Sequence, residues 1–416
     1  MSRDGRSTVN CGFPRGKALG GSSVINYMIY NRGNAKDFDR WAAAGNPGWS
    51  WADVHPFFLK SERSSLKNLR SSPHHSNKGW LHVENNQFIT PLADGFIQAN
   101  KYLGMREVDY NSGDQLGVSY LQANTYHGKR HSAYQAFLKP ILHRPNLHIM
   151  VNTRATKSLN TERTLQPEVL GNYVHGRGPL TIPGGVEALS FIKTRVNDNR
   201  GPTVPDVEII FVSGGYQSDE GTGISRGMNV KQSLYNTVYK SLENPKIDAF
   251  SLMPMIFHPK SVGYLELKSN NPFHWPRLYP RFFSHPDDVE TMLEGIKYSL
   301  RLAQTPPFKK FGARLHDIPV PGCEHSHFGS DDYWRCSIRT LASTLHHQIS
   351  TCKMGPANDP TAVVSHELKV HGIDKLRVVD TSIIPETLTA HTNAASYMIG
   401  EKAADMIKRQ WRKNKK

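Results

Sequence analysis

The chain has 416 residues, 38% of them hydrophobic, with 17 Phe and 16 Tyr; that is enough to fill the cores of two or more domains and excludes disorder as an overall reading. A net charge of +15 is spread thinly, and its one dense run, Lys408 to Lys416, stands at a chain end with no aromatic-basic motif beside it, so nucleic-acid binding is not expected. There is no apolar run long enough for a transmembrane helix, and the polar start, Met1 to Thr8, is no secretory signal peptide as written.

In chain order, Gly16 to Ala44 begins rich in glycine and turns amphipathic, with Phe38, Trp41 and Ala42 at helical spacing before Gly45-Asn46-Pro47-Gly48 breaks the pattern. Trp51 to Glu62 reads as a helix with Val54, Phe57 and Phe58 on one face, and Arg63 to Lys78 as an exposed polar loop. Short strands are predicted at Leu81–Val83 and Leu147–Val151, and helices at Pro91–Leu103 and Ala133–Leu142. Residues 153 to 206 are poorly patterned, broken by Gly171, Gly176, Gly178, Pro179, Pro183, Gly184 and Gly185. Beyond them come a strand at Val207–Val212, helices at Tyr235–Leu242 and Val289–Leu302, and a strand at Tyr264–Leu267. A short apolar run, Leu376–Val379, ends at Asp380, and Ala394–Ile407 forms a closing helix. The four cysteines show no CxxC pair or zinc spacing, so no metal is expected; Cys323 and Cys336 can pair in an oxidising compartment or remain thiols.

Three motifs carry chemistry. In Gly20-Gly21-Ser22-Ser23-Val24-Ile25-Asn26, followed by Met28, Tyr30, Arg32 and Gly33, paired glycines let a backbone approach a flat or anionic ligand with its N–H groups free. In His346-His347-Gln348-Ile349-Ser350-Thr351-Cys352-Lys353-Met354-Gly355-Pro356, histidine is the side chain that titrates nearest neutrality, as a base removing a hydroxyl proton requires. The third runs from Val379-Asp380-Thr381-Ser382 through Ala390-His391-Thr392-Asn393 into the closing helix, whose N-terminus would face an electron-rich ligand.

In that order the three motifs resemble those of the glucose-methanol-choline (GMC) oxidoreductases over most of the chain, from about Pro14 to Ile407. The resemblance implies FAD as cofactor, contacted by Gly20, Gly21, Ser22, Asn26, Asp380 and Asn393. It makes His347 the counterpart of the family's base and His391 that of its second active-site residue. Ser350 departs from the family's usual glycine, and Val262 replaces an arginine within Ser261–Ser269. Gly312 to Arg339 is most similar to the insect glucose-dehydrogenase branch, whose members are commonly secreted.

Two family features are missing: a strand–GxGxxG–helix unit for the pyrophosphate and a second, Gly-Ala-x-x-Ser-Pro signature. The glycines after Val207–Val212 lie too far from that strand to serve, which leaves it as a substrate-domain strand. The implied fold is α+β: a partial Rossmann-like FAD-binding domain, and a substrate domain with an antiparallel sheet and flanking helices. Its expected divisions are a partial N-terminal FAD-binding domain at 1–160, a poorly patterned continuation at 161–255, a C-terminal substrate and active-site domain at 256–408, and a basic tail at 409–416. The implied activity is FAD-dependent oxidation of the CH–OH group of a small alcohol or sugar, with a quinone or oxygen as electron acceptor. The other reading is a non-catalytic fragment that does not hold FAD and at most binds such molecules.

Overall fold

A computed structural model describes residues 14–69, 71–113, 115–149, 181–196, 200–222, 225, 228, 230–244, 247–271 and 274–413. Helix α1 (Ala35–Ala43) opens in a capping box: Asn34 accepts from the Lys36 N–H, and Asp37 reaches back to the Asn34 N–H. Ser50 and Asp53 make the same box for α2 (Trp51–Ser61). Strand β1 (Glu62–Ser64) pairs in parallel with β2 (Leu81–Asn85), and Thr90 with Pro91 starts α3 (Pro91–Tyr102).

The main sheet is antiparallel and four-stranded: β3 (Gly117–Tyr120), β4 (Val186–Ile192), β5 (Val207–Val212) and β6 (Ser251–Ile256), in that spatial order. On β5, Val207, Ile209 and Phe211 point into a core shared with α3, including Phe96, Tyr298, Leu302 and Phe308. Tyr298 and Leu302 belong to α4 (Pro286–Ala303), which also packs on this sheet. Ile210, one residue out of phase, packs on the opposite side with Ile29, Tyr110, Phe257 and Leu345. A second core gathers Phe38 and Trp41 of α1, Val54 and Phe58 of α2, and Ala395, Met398 and Ile399 of the closing helix α6 (Thr392–Lys413). Helix α5 (Asp331–Leu341) packs against α4 through Ile338, and its Cys336 forms a disulfide with Cys323.

Several sequence expectations need correction. The helix expected at Ala133–Leu142 is a wide turn, Tyr134–Leu138, then a short 3-10 turn containing Pro140, which has no N–H for a regular helix. The helix expected at Tyr235–Leu242 covers Gln232–Val238 and tightens to a 3-10 turn at Lys240–Glu243. Residues 147–149 form no strand, and the rest of the strand expected there lies outside the described residues. The unpatterned stretch hides β4, every residue of which is buried, so no polar-apolar alternation was left to read. Strand β6 was missed because of Pro254; as an edge strand it tolerates a residue without a ladder donor. Of the basic tail expected at 409–416, residues 409–413 continue helix α6, and the rest lie outside the described residues. Residues 63–78 are not simply an exposed loop, because His75 is clamped between Glu62 and Asp109.

Candidate active site

His347 lies in the segment after α5, with left-handed backbone on both sides, at His346 (φ 61°) and Ser350 (φ 66°). Only glycine takes that conformation freely, which gives the physical reason for a glycine preference at the second position. Ser350 offsets part of the cost by donating its hydroxyl to the Ile384 carbonyl at 2.7 Å. Main-chain bonds from the Cys352 N–H to Ser382 O (3.0 Å) and from the Met354 N–H to Ile383 O (2.9 Å) lace this segment to the third motif.

The lacing brings the two histidines together. Their rings meet edge to face, and His347 Nε2 lies 3.3 Å from His391 Nδ1. The other ring nitrogen of His391 faces the carboxylate of Glu208 at 3.0 Å, off the line of a good hydrogen bond. Glu208 is fully buried on β5, with neither oxygen hydrogen-bonded. Desolvation, and then the neighbouring charges of His391 and His346, hold the His347 imidazole well below its ordinary pKa. Sequence reasoning missed Glu208, although an acid inside the apolar run Val207–Val212 was the available signal.

The first motif meets the other two through polar side chains. Asn26 donates to Asn393 Oδ1 (3.1 Å), and Asn393 donates to Asn124 Oδ1 (2.7 Å) and to the Ile29 carbonyl (3.2 Å). Arg130 fixes Asn26 Oδ1 at 2.8 Å and the Ser23 carbonyl at 3.0 Å. Arg15 reaches Gln348 beside His347 at 3.1 Å. Asn124 and Arg130 carried no sequence signal. Gly20 and Gly21 are both left-handed (φ 100° and 58°), and a Cβ added at Gly21 would meet nothing within 4 Å. The exposed Asp380 carboxylate accepts from the Ser382 N–H at 2.8 Å, and Ser22 Oγ accepts from the Gly16 N–H at 3.2 Å. Thus the structure sets His347 against His391 and Asn26 against Asn393, with His391 and Asn393 two residues apart in the chain, and it leaves Ser22 and Asp380 at the surface.

Residues 4–168 and 259–400 match the two family models described as GMC oxidoreductase. The chain is 35% identical to a Drosophila melanogaster protein named glucose dehydrogenase [FAD, quinone], over 96% of this chain and 75% of that one. That alignment runs over 475 positions, more than this chain's 416 residues, so the relative carries internal residues with no counterpart here. The chain is also 30% identical to an alcohol dehydrogenase [acceptor] from Pseudomonas putida, over 96% of this chain and 82% of that one. Among solved structures, a formate oxidase from Aspergillus oryzae superposes with a TM-score of 0.77 at 21% identity, covering 99% of this chain and 87% of that one. A pyridoxine 4-oxidase from Mesorbium loti gives 0.73 at 22% identity, covering 94% and 84%. At those identities the structures speak for the fold alone.

Proposed function

Because the chain belongs to the GMC oxidoreductase family, we propose that it oxidises the CH–OH group of a small alcohol or sugar with FAD, using His347 as base and His391 as the partner of the substrate oxygen. The observation that carries this is the convergence of His347 Nε2 and His391 Nδ1 at 3.3 Å, backed by buried Glu208. Desolvation, and then the neighbouring His391 and His346, disfavour a cation on His347 and leave its ring neutral. A hydroxyl entering between the rings therefore meets a lone pair on His347 and an N–H on His391. The first takes the hydroxyl proton, and the second steadies the charge left on oxygen.

The residues present fit the ring end of the cofactor. The left-handed Gly20–Gly21 turn leaves one side open, the buried Gln348 Nε2 has no hydrogen-bond partner, and Asn26 and Asn393 form a braced amide pair. Gly20, Gly21, Ser22, Asn26, Asp380 and Asn393 would hold it there. FAD, when bound, supplies the two-electron acceptor for the hydride that leaves the carbinol carbon. For the pyrophosphate, no glycine-rich strand–turn–helix occurs among the described residues; Val207–Val212 is the third strand of an antiparallel sheet, as expected of a substrate-domain strand. An electron acceptor such as a quinone or oxygen completes the cycle.

The test is the absorbance spectrum of the chain after incubation with FAD and desalting. A retained flavin band that bleaches with an alcohol or sugar in the wild type, and bleaches about 10²–10⁴-fold more slowly in His347→Ala, is expected. A colourless wild-type chain would mean that this polypeptide does not hold the cofactor, in favour of the non-catalytic reading.

A further inference from the structure

A buried polar cluster that the proposed chemistry does not use stands directly behind His391. Thr389, two residues before it, is fully buried, and its main-chain and side-chain polar groups are all fixed by other side chains. Its N–H donates to Asp37 Oδ2 at 2.8 Å, its carbonyl accepts from Gln115 Nε2 at 2.7 Å, and its hydroxyl lies 2.8 Å from His258 Nε2. The other nitrogen of His258 lies 3.1 Å from the hydroxyl of Thr387. Asp37 comes from α1, Gln115 from the approach to β3, and His258 from the turn after β6, so three separate parts of the fold meet on one residue.

The cluster is built to stay in one arrangement. Asp37, Gln115 and His258 are 1%, 1% and 4% exposed, and buried polar groups of this kind are costly unless satisfied. Burial, with Arg200 and Arg40 nearby, holds the His258 imidazole down to about 2, which keeps it neutral. A neutral imidazole has one donor and one acceptor, and the two threonine hydroxyls occupy both. His258 also has a left-handed backbone (φ 55°), a strained state that persists only where the surroundings over-determine it. Its neighbour Phe257 is tied through its N–H to Asp206 O at 2.8 Å, two residues before Glu208. The sheet thus braces His391 from two sides, through the Glu208 carboxylate on its ring and through the Thr389 anchor on its backbone.

We propose that His258, Asp37 and Gln115 form a clamp on Thr389 whose function is to position the His391 ring against His347; His258 is accordingly a positioning residue for the reaction. The inference rests on the oxidative reading for its purpose, although the clamp itself can be tested without cofactor. Thr389→Val keeps the main-chain bonds to Asp37 and Gln115 and removes the hydroxyl, whereas Thr389→Ser retains it.

In ¹H–¹⁵N imidazole spectra of the chain with no cofactor added, Thr389→Val is expected to shift the His391 and His347 resonances together, and Thr389→Ser to leave them in place. In the flavin-loaded chain, Thr389→Val is expected to lower kcat by about 10- to 100-fold with little change in KM, with rescue by Thr389→Ser. His258→Asn, in which asparagine tolerates the left-handed backbone, serves as the second variant and should reproduce the coupled shift if Thr389→Val fails to fold. Unmoved histidine resonances in the folded variant, or a rise in KM at constant kcat, would overturn the clamp. Coupled shifts in a wild-type background that never turns over would uphold the clamp and count against the oxidative reading alone.

Discussion

His347 can take a hydroxyl proton only while its ring is neutral, and its surroundings keep it so. Desolvation, His391 and His346 all disfavour the imidazolium, so its folded-state pKa lies well below 6.5. A base with a lowered pKa remains deprotonated as pH falls through the usual histidine range, which sets the direction of the pH profile. We expect kcat/KM for alcohol oxidation to show no His347 limb between about pH 8 and 6.5, and to lose activity through this group only at more acidic pH. A limb at the ordinary histidine value that disappears in His347→Gln would show that burial and the neighbouring histidines do not depress this residue. The same scale exposes the reach of sequence reading. The family pattern before the Cys352–Pro356 run points to His347 rather than His346, but Glu208 could not be found that way, because its meaning depends on a ring 183 positions further along the chain.

Among the elements, the segment from residue 71 to 79 is held by a charged knot. Arg32 donates to Glu62 at 2.8 Å with both side chains fully buried, and His75 bridges Glu62 at 2.8 Å and Asp109 at 2.9 Å. Desolvation opposes charge on His75, but the hydrogen bonds to Asp109 and Glu62 prevail and raise it to about 8. A raised histidine pKa gives stability that is fully present below the unfolded value near 6.5 and is lost as pH rises through about 8. The magnitude is about 2 kcal/mol. Denaturant titrations at about pH 6 and 9 should show that loss in the wild type and a smaller one in His75→Gln; equal pH dependence in the two would remove His75 from the account.

Elements with amphipathic periodicity and caps, such as α1, α2, α3 and α4, were legible in the sequence to within a few residues. So was β5, whose apolar residues form one run. What stayed hidden were β4, buried throughout, and the proline-bearing edge strand β6; α5 was passed over although Trp334, Ile338 and Leu341 recur at helical spacing. The resemblance assigned His347 and His391 to one active site and Asn26 and Asn393 to one cofactor; that the members of each pair touch is seen only in the structure. The motifs did not foretell the clamp on Thr389, because hydrogen bonds among residues 37, 115, 258 and 389 leave no periodic trace in the chain.

The molecule has two separately packed cores, one made of helices α1, α2 and α6 and the other of the main sheet with α3 and α4. Phe211 is fully buried in the second, its ring 5.3 Å from Phe96 and 5.9 Å from Phe250. Phe211→Ala should therefore destabilise the chain by about 3–5 kcal/mol, read as a lowered denaturant midpoint, while the conservative Phe211→Leu costs much less. Equal stability of Phe211→Ala and wild type would mean that the sheet core does not support the fold. Strand β5 also sets a condition of a different kind. Its odd-numbered residues hold the helices, and even-numbered Glu208 faces the histidines. Parity is thus a constraint on this strand: removing one residue from its interior exchanges the two sets, placing a carboxylate among the phenylalanines and an aliphatic side chain against His391. Length variation here is tolerable only in pairs, so this is the stretch where a single-codon deletion costs the chain its core and its chemistry at once.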